Sequence, residues 1–84
     1  MHSARFDRPV IVTRHAQERM AERNISVALL VQLIDLGALR YADDNHLWAW
    51  LEVPGRDDNL VCAALVLEHA VVVKTVMHRW ELMP

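Results

Sequence analysis

Two tryptophans, a lysine and a histidine stand at alternating positions in two strand-like segments of the sequence. Trp48 and Trp50 are two residues apart, so within a strand they share one face. Lys74 and His78 share a face for the same reason. Rings stack on unpaired bases and cations contact phosphates, so a sheet that joins these pairs suits single-stranded RNA. A histidine beside a carboxylate would add acid–base chemistry for phosphodiester cleavage through the ribose 2′-hydroxyl.

The same tryptophans have a purely structural interpretation. Trp48 and Trp50 can form a second small core, or they can be covered in a homodimer interface. The residue pattern favours neither interpretation decisively, because both require two rings on one sheet face.

A second set of polar residues lies on a helical segment, Arg14 to Arg23. His15, Arg19 and Arg23 are spaced by four residues and line one edge of this helix. Arg14 stands in the first turn, where the helix dipole disfavours a cation. The segment is therefore either a solvent-exposed face joined by weak ion pairs, or a site. In a site, His15 is an acid–base candidate, and Arg19 and Arg23 are candidates for RNA binding.

The sequence predicts no metal site and no cofactor. His15 and Glu18 have a helical spacing of three, but no second ligand pair of recognised spacing accompanies them. No glycine-rich phosphate loop and no nucleophile elbow occur. Cys62 is the single cysteine, which excludes an internal disulfide. Its apolar neighbours predict a buried, inert thiol.

Length and composition indicate one domain, residues 1–84, with residues 1–9 as a loose N-terminal arm. An apolar content of 54% and a charged content of 24% are typical of globular proteins. No leader pattern and no bilayer-length apolar run is present, so we expect a cytoplasmic protein without membrane contact. The net charge of −2 argues against a strongly basic nucleic-acid binder.

The hydrophobic period predicts two consecutive helices. The first is expected at Arg14 to Arg23 with Thr13 as its N-cap, and the second at Val27 to Leu36 with Ser26 as its N-cap. Gly37 is expected to end the second helix in a left-handed conformation. The short β-branched run before Thr13 is either an edge strand or an extended lead-in.

After the helices the hydrophobic period becomes two. Four strands are expected, at residues 39–42, 46–53, 60–67 and 70–78. A two-residue turn between the last two would place Lys74 opposite Ala63 and His78 beside Asn59. The predicted fold class is α+β, with two N-terminal helices packed on a four-stranded antiparallel sheet.

Two segments carry a family resemblance. TRHAQERMAERNIS at residues 13–26 and VVVKTVMHRW at residues 71–80 resemble a family of small bacterial domains of unknown function, which is similar to the RelE/ParE-like toxins of type II toxin–antitoxin systems. The signature consists of His15, Ala16, Arg19, Met20, Arg23, Ile25 and Ser26.

This resemblance implies a RelE/ParE toxin-like fold and a toxin-type activity. The activity would be an mRNA endonuclease acting on the ribosome, or poisoning of gyrase, with an antitoxin protein as partner. In the ribonuclease, His78 or His15 would act as acid–base, and Lys74 and Arg79 would stabilise phosphate charge. RelE-like nucleases are usually strongly basic, whereas this chain is acidic. The alternative is a non-catalytic protein-binding or regulatory module, such as a homodimer.

Overall fold

Six strands and two helices make up the part of the chain that the computed structural model describes, residues 1–52 and 60–78. In chain order they are β1 (His2–Ser3), β2 (Arg8–Val12), α1 (Arg14–Glu22), α2 (Val27–Leu36), β3 (Ala38–Tyr41), β4 (His46–Glu52), β5 (Leu60–Leu67) and β6 (Val71–His78). Over these residues, neither helix has the length and apolarity needed to cross a bilayer.

The strands form one mixed sheet in the order β1-β2-β6-β5-β4-β3. β3 to β6 are antiparallel neighbours, whereas β2 lies parallel to β6, with Val10 opposite Val71 and Val12 opposite Val73. The predicted four-stranded antiparallel sheet in a RelE/ParE toxin-like fold is therefore wrong. The residues before the helices add two strands, because the β-branched run of β2 pairs its backbone with the otherwise open edge of β6.

The two helices cover one face of this sheet. Ala16 and Met20 are the buried residues of α1. α2 buries Leu30, Leu33 and Ile34 completely. These side chains meet the inward-facing positions of the strands in a single core. The core therefore lies between the helices and one sheet face.

Side-chain hydroxyls begin both helices, as predicted. The Thr13 Oγ1 accepts from the Ala16 amide at 3.1 Å, and the Ser26 Oγ accepts from the Leu29 amide at 3.1 Å. Each bond satisfies a first-turn N–H that has no partner within its helix. α2 has its predicted bounds, and α1 ends one residue early, with Arg23 as its C-cap.

Gly37 ends α2 by its small size. Its φ of −67° and ψ of 161° are extended, so the predicted left-handed conformation is wrong. A Cβ at this position would collide with the Leu33 carbonyl oxygen and would lie 2.7 Å from the Trp50 carbonyl oxygen. The absence of a side chain therefore lets the end of α2 approach β4.

The N-terminal arm is attached to the C-terminal end of α2. The buried Ser3 hydroxyl donates to Asp35 Oδ1 at 2.6 Å, and the amides of the next two residues also donate to this carboxylate. The Arg5 guanidinium donates to the Gly37 carbonyl at 2.7 Å and to the Ile34 carbonyl at 3.2 Å. A cation here complements the negative end of the helix dipole.

Replacing Gly37 tests the close approach of α2 to β4. We expect Gly37→Ala to lower the free energy of unfolding by about 1–3 kcal/mol, because the new methyl group must displace backbone. Urea denaturation measures the loss. Ala38→Ser, at the exposed neighbouring position, is the control and should change stability by no more than about 0.5 kcal/mol. Equal stability of Gly37→Ala and wild type would contradict the steric argument.

Asp35 gives the arm a pH dependence. Partial burial alone raises the pKa of Asp35, but hydrogen bonds from Ser3, Ala4 and Arg5, with the charge of Arg5, outweigh it and leave the pKa below 3.8. The resulting stabilisation is present above the unfolded pKa and is lost as the pH falls through the lower folded pKa.

We therefore expect Asp35→Asn to lower the free energy of unfolding at neutral pH by about 1–2 kcal/mol. The difference from wild type should shrink once the pH is below the folded pKa, where both side chains are neutral. Urea denaturation at neutral and strongly acidic pH measures it. Glu18→Gln, which removes an exposed carboxylate of α1, is the control. A loss of the same size at both pH values would contradict the role of the charge.

Candidate functional site: a cleft on the open sheet face

Trp48 and Trp50 lie on the sheet face opposite the helices. Leu47 and Ala49, their neighbours on β4, belong to the core, so strand alternation directs both rings to the other face. Both tryptophans are half-buried. We call this surface the open face.

A cleft of about 370 Å³ lies on the open face, at the end of the sheet where the β3–β4 turn and the β5–β6 loop come together. Trp48 and Lys74 line it together with the smaller side chains of Ala64 and Val66. Ala64 is directly opposite Trp48 in the β4–β5 pairing. The cleft exists because a small residue stands beside a large ring.

The hairpin that forms the cleft differs from the predicted one. Leu67 pairs with Val71, so the loop has three residues and the predicted two-residue turn is wrong. Its glutamate and histidine do not favour the positive φ of a two-residue hairpin. The predicted pairing of Lys74 with Ala63 is also wrong, because Ala63 pairs with Val76.

A β-bulge places Lys74 in the cleft. Ala64 pairs with Thr75, and the next residue, Leu65, pairs with Val73, which leaves Lys74 as an extra residue on β6. Bulges of this kind redirect a side chain and are frequent beside functional sites. Lys74 is exposed and lines the cleft with Trp48, so two of the predicted site residues come together here.

Thr13 holds the bulge from the opposite edge of β6. Its amide donates to the Val73 carbonyl at 3.2 Å, and its hydroxyl lies 3.0 Å from that oxygen and 3.3 Å from the Lys74 carbonyl. The Thr13 hydroxyl oxygen also accepts from the Ala16 amide at the start of α1. One side chain thus connects the first turn of α1 to the backbone that carries Lys74.

His46 is the one histidine that the described residues contribute to the cleft. Its Nδ1 lies 2.9 Å from Asp43 Oδ1. Hydrogen bonds from the Asn45 amide, the His46 ring and the His46 amide hold the pKa of Asp43 below its usual value. An ionised carboxylate can only accept, so the Nδ1 donates to it, and in the neutral ring the Nε2 is then the nitrogen that can accept a proton.

His46 alternates with Trp48 and Trp50 along the sequence and so shares their face, but it is not one of the predicted catalytic residues. Asp43, Asp44 and Asn45, which precede it, have a composition typical of a turn. The signal that could have identified His46 is the spacing of three residues between Asp43 and His46. An aspartate three residues before a histidine, across a turn, can accept from both its amide and its ring.

Glu68 and Lys74 give the cleft one charge of each sign. Both side chains are exposed, and within residues 1–52 and 60–78 neither forms an ion pair. Glu68 was predicted only as a turn residue, and nothing in its sequence context pointed to the cleft. Both side chains are therefore available to a ligand.

The predicted candidates on α1 do not reach the cleft. His15 is exposed on a helix that packs against the core face of β6, opposite the open face. Arg19 Nη1 forms an ion pair with Glu22 Oε2 at 2.8 Å, and Arg23 caps the helix. The structure thus separates these three residues from Trp48 and Lys74.

The remaining two catalytic candidates are His78 and Arg79. The backbone of His78 is opposite Val61, not beside Asn59 as predicted, and its side chain lies outside the described residues. Arg79 also lies outside them. Trp50 shares the open face with Trp48 but does not line the cleft.

Cys62 is buried, as predicted. It lies between its strand partners Trp50 and Met77 with no exposed surface. Burial raises the pKa of its thiol to about 12, so the thiol stays protonated and unreactive at neutral pH. Across residues 1–52 and 60–78, no group of His, Cys, Asp and Glu side chains has the arrangement of a metal site.

Comparison with known proteins identifies one family. The family described as "Domain of unknown function (DUF4258)" matches residues 12–78. The matched range includes both helices, the bulge and every residue of the cleft discussed above. No curated protein and no solved structure matches the chain.

The Thr13 hydroxyl can be tested separately from its methyl group. We expect Thr13→Val to lower the free energy of unfolding by about 1–2 kcal/mol, because the Ala16 amide loses its acceptor. Thr13→Ser keeps the hydroxyl and should stay within about 0.5 kcal/mol of wild type. Urea denaturation measures both. A loss in Thr13→Ser with none in Thr13→Val would assign the effect to the methyl group instead of the hydroxyl.

Proposed function

The chain belongs to the DUF4258 family, a domain of unknown function, and we propose that it binds single-stranded RNA in the cleft and cleaves it through the ribose 2′-hydroxyl. The observation that supports this proposal is the Asp43–His46 pair at the cleft that also holds Trp48 and Lys74. An oriented base, a ring and a cation are the groups that such a reaction uses.

Each group has a distinct part in the proposed reaction. The Nε2 of His46 removes the proton of the 2′-hydroxyl, and the resulting oxyanion attacks the adjacent phosphorus. The bond to the 5′-oxygen of the next nucleotide breaks, and that oxygen takes a proton from solvent. The products are a 2′,3′-cyclic phosphate and a 5′-hydroxyl. Lys74 stabilises the charge on the phosphate, and Trp48 stacks on the base.

Lys74 and Trp48 keep the parts that the sequence predicts for them, and His46 takes the acid–base part in place of His78 or His15. The acidic net charge of −2 limits the number of phosphate contacts. Binding should therefore depend on stacking more than on salt. An activity of this kind on messenger RNA would make the chain a toxin-type ribonuclease with an antitoxin as its partner.

A non-catalytic binding module is the second candidate. Beside the cleft, the open face is apolar across three strands, where Trp50, Cys62 and Met77 stand in one row. No helix covers this row within the described residues. A protein partner or a second copy of the chain would bury Trp50 and Met77, both of which are half-buried in the single chain.

Induction of the wild-type chain in bacteria tests the proposal. We expect growth arrest and cleaved transcripts with 2′,3′-cyclic phosphate ends. His46→Ala should abolish cleavage, and Lys74→Ala should reduce it at least about tenfold, because each loses a group that acts in the transition state. His15→Ala, which removes an exposed histidine far from the cleft, is the matched control and should cleave like wild type.

Purified protein provides the chemical control. An RNA with a single 2′-deoxynucleotide should resist cleavage at that position, since the attacking oxygen is missing. Cleavage by His46→Ala at the wild-type rate would overturn the assignment of the base. Normal growth with intact RNA would overturn the ribonuclease proposal and favour the binding module.

A further inference from the structure

We infer that the cleft selects guanine, with the Glu68 carboxylate reading the edge of a base that stacks on Trp48. This inference rests on the proposed function, because it requires RNA to occupy the cleft. It adds a specificity that the reaction chemistry alone does not supply.

Glu68 is placed to contact a ligand and has no competing partner. It starts the three-residue loop between β5 and β6, and its amide donates to the Ala70 carbonyl at 2.9 Å, which fixes the backbone of the loop. Its exposed side chain lines the cleft together with Trp48. Among residues 1–52 and 60–78 no side chain forms an ion pair with its carboxylate, although Lys74 lines the same cleft.

A carboxylate presents two adjacent acceptors and no donor. Among the four RNA bases, only guanine has two adjacent donors on its Watson–Crick edge, the N1–H and the N2 amino group. Adenine and cytosine place an acceptor beside their donor, and uracil places one donor between two carbonyls. A bidentate, charge-assisted pair therefore forms with guanine alone.

The size of the cleft limits what else it can hold. A volume of about 370 Å³ is near the lower end of the range for small-molecule sites, about 300–1,000 Å³. This suits one nucleotide and not a run of stacked bases. A single base between Trp48 and Glu68 leaves the sugar and phosphate to His46 and Lys74, which line the same cleft.

Titration of the wild-type chain with the 5′-monophosphates of guanosine, inosine, adenosine, cytidine and uridine tests the inference. The readout is the indole N–H resonance that disappears in Trp48→Phe. We expect guanosine monophosphate to bind about tenfold more tightly than the others, inosine monophosphate included, because inosine lacks the 2-amino donor. Glu68→Gln should remove this preference. Glu18→Gln, which also deletes one exposed carboxylate but lies on α1, should retain it.

The outcomes separate this inference from the proposed function. Equal binding of all nucleotides, or a preference for another base, would overturn guanine selection and leave RNA binding intact. A uniform gain of affinity in Glu68→Gln, with the guanine preference kept, would also overturn it, since only charge repulsion would then have been removed. A failure of every nucleotide to bind would count against the proposed function itself.

Discussion

The hydrogen bonds of Thr13 connect helix α1 to strand β6. Its hydroxyl oxygen accepts from the first turn of α1 and lies within hydrogen-bond distance of the backbone carbonyl oxygens of the β6 bulge. Its amide donates to a carbonyl of the same strand. α1 contributes Ala16 and Met20 to the core, so the position of this helix and the position of Lys74 depend on one residue. A short polar side chain thereby couples core packing on one sheet face to the geometry of the cleft on the other.

The cleft owes its shape to side-chain size and its chemistry to turns. Ala64 and Val66 are small where Trp48 and Lys74 are large, so a depression forms on the face of the sheet between these side chains. The groups able to exchange or accept protons stand at the ends of the strands, with Asp43 in the β3–β4 turn, His46 at the start of β4 and Glu68 in the β5–β6 loop. A rigid sheet that holds functional groups at its ends is a common arrangement, because loops vary without disturbing the core.

Local patterns in the sequence predicted the helices and the tryptophan face. The features that could not be predicted depend on pairings between residues that are distant in the sequence. These signals act within a few residues and are therefore visible in the sequence: the N-cap Ser26, the apolar residues of α2 and the alternation around Trp48 are the local ones. The pairing of β2 with β6 joins residues about 60 apart, and no local pattern indicates it. Lys74 was found as a candidate, but the bulge that positions it depends on backbone geometry that composition does not encode. The Asp43–His46 pair has a signal in its spacing, which was missed.

The parallel pairing of β2 with β6 also has a kinetic consequence. β2 precedes both helices in the chain, and its partner β6 is the last of the strands that follow them. The edge of β2 that pairs with β6 therefore stays unpaired until almost all of the matched domain has been synthesised. Closing so long a loop is slow compared with forming a hairpin. During that interval the chain exposes a β-branched edge that can associate with other chains. In the finished fold β6 covers that edge and β1 lies along the opposite edge of β2, so the N-terminal arm that Asp35 holds in place shields the other side of the strand whose partner is made last.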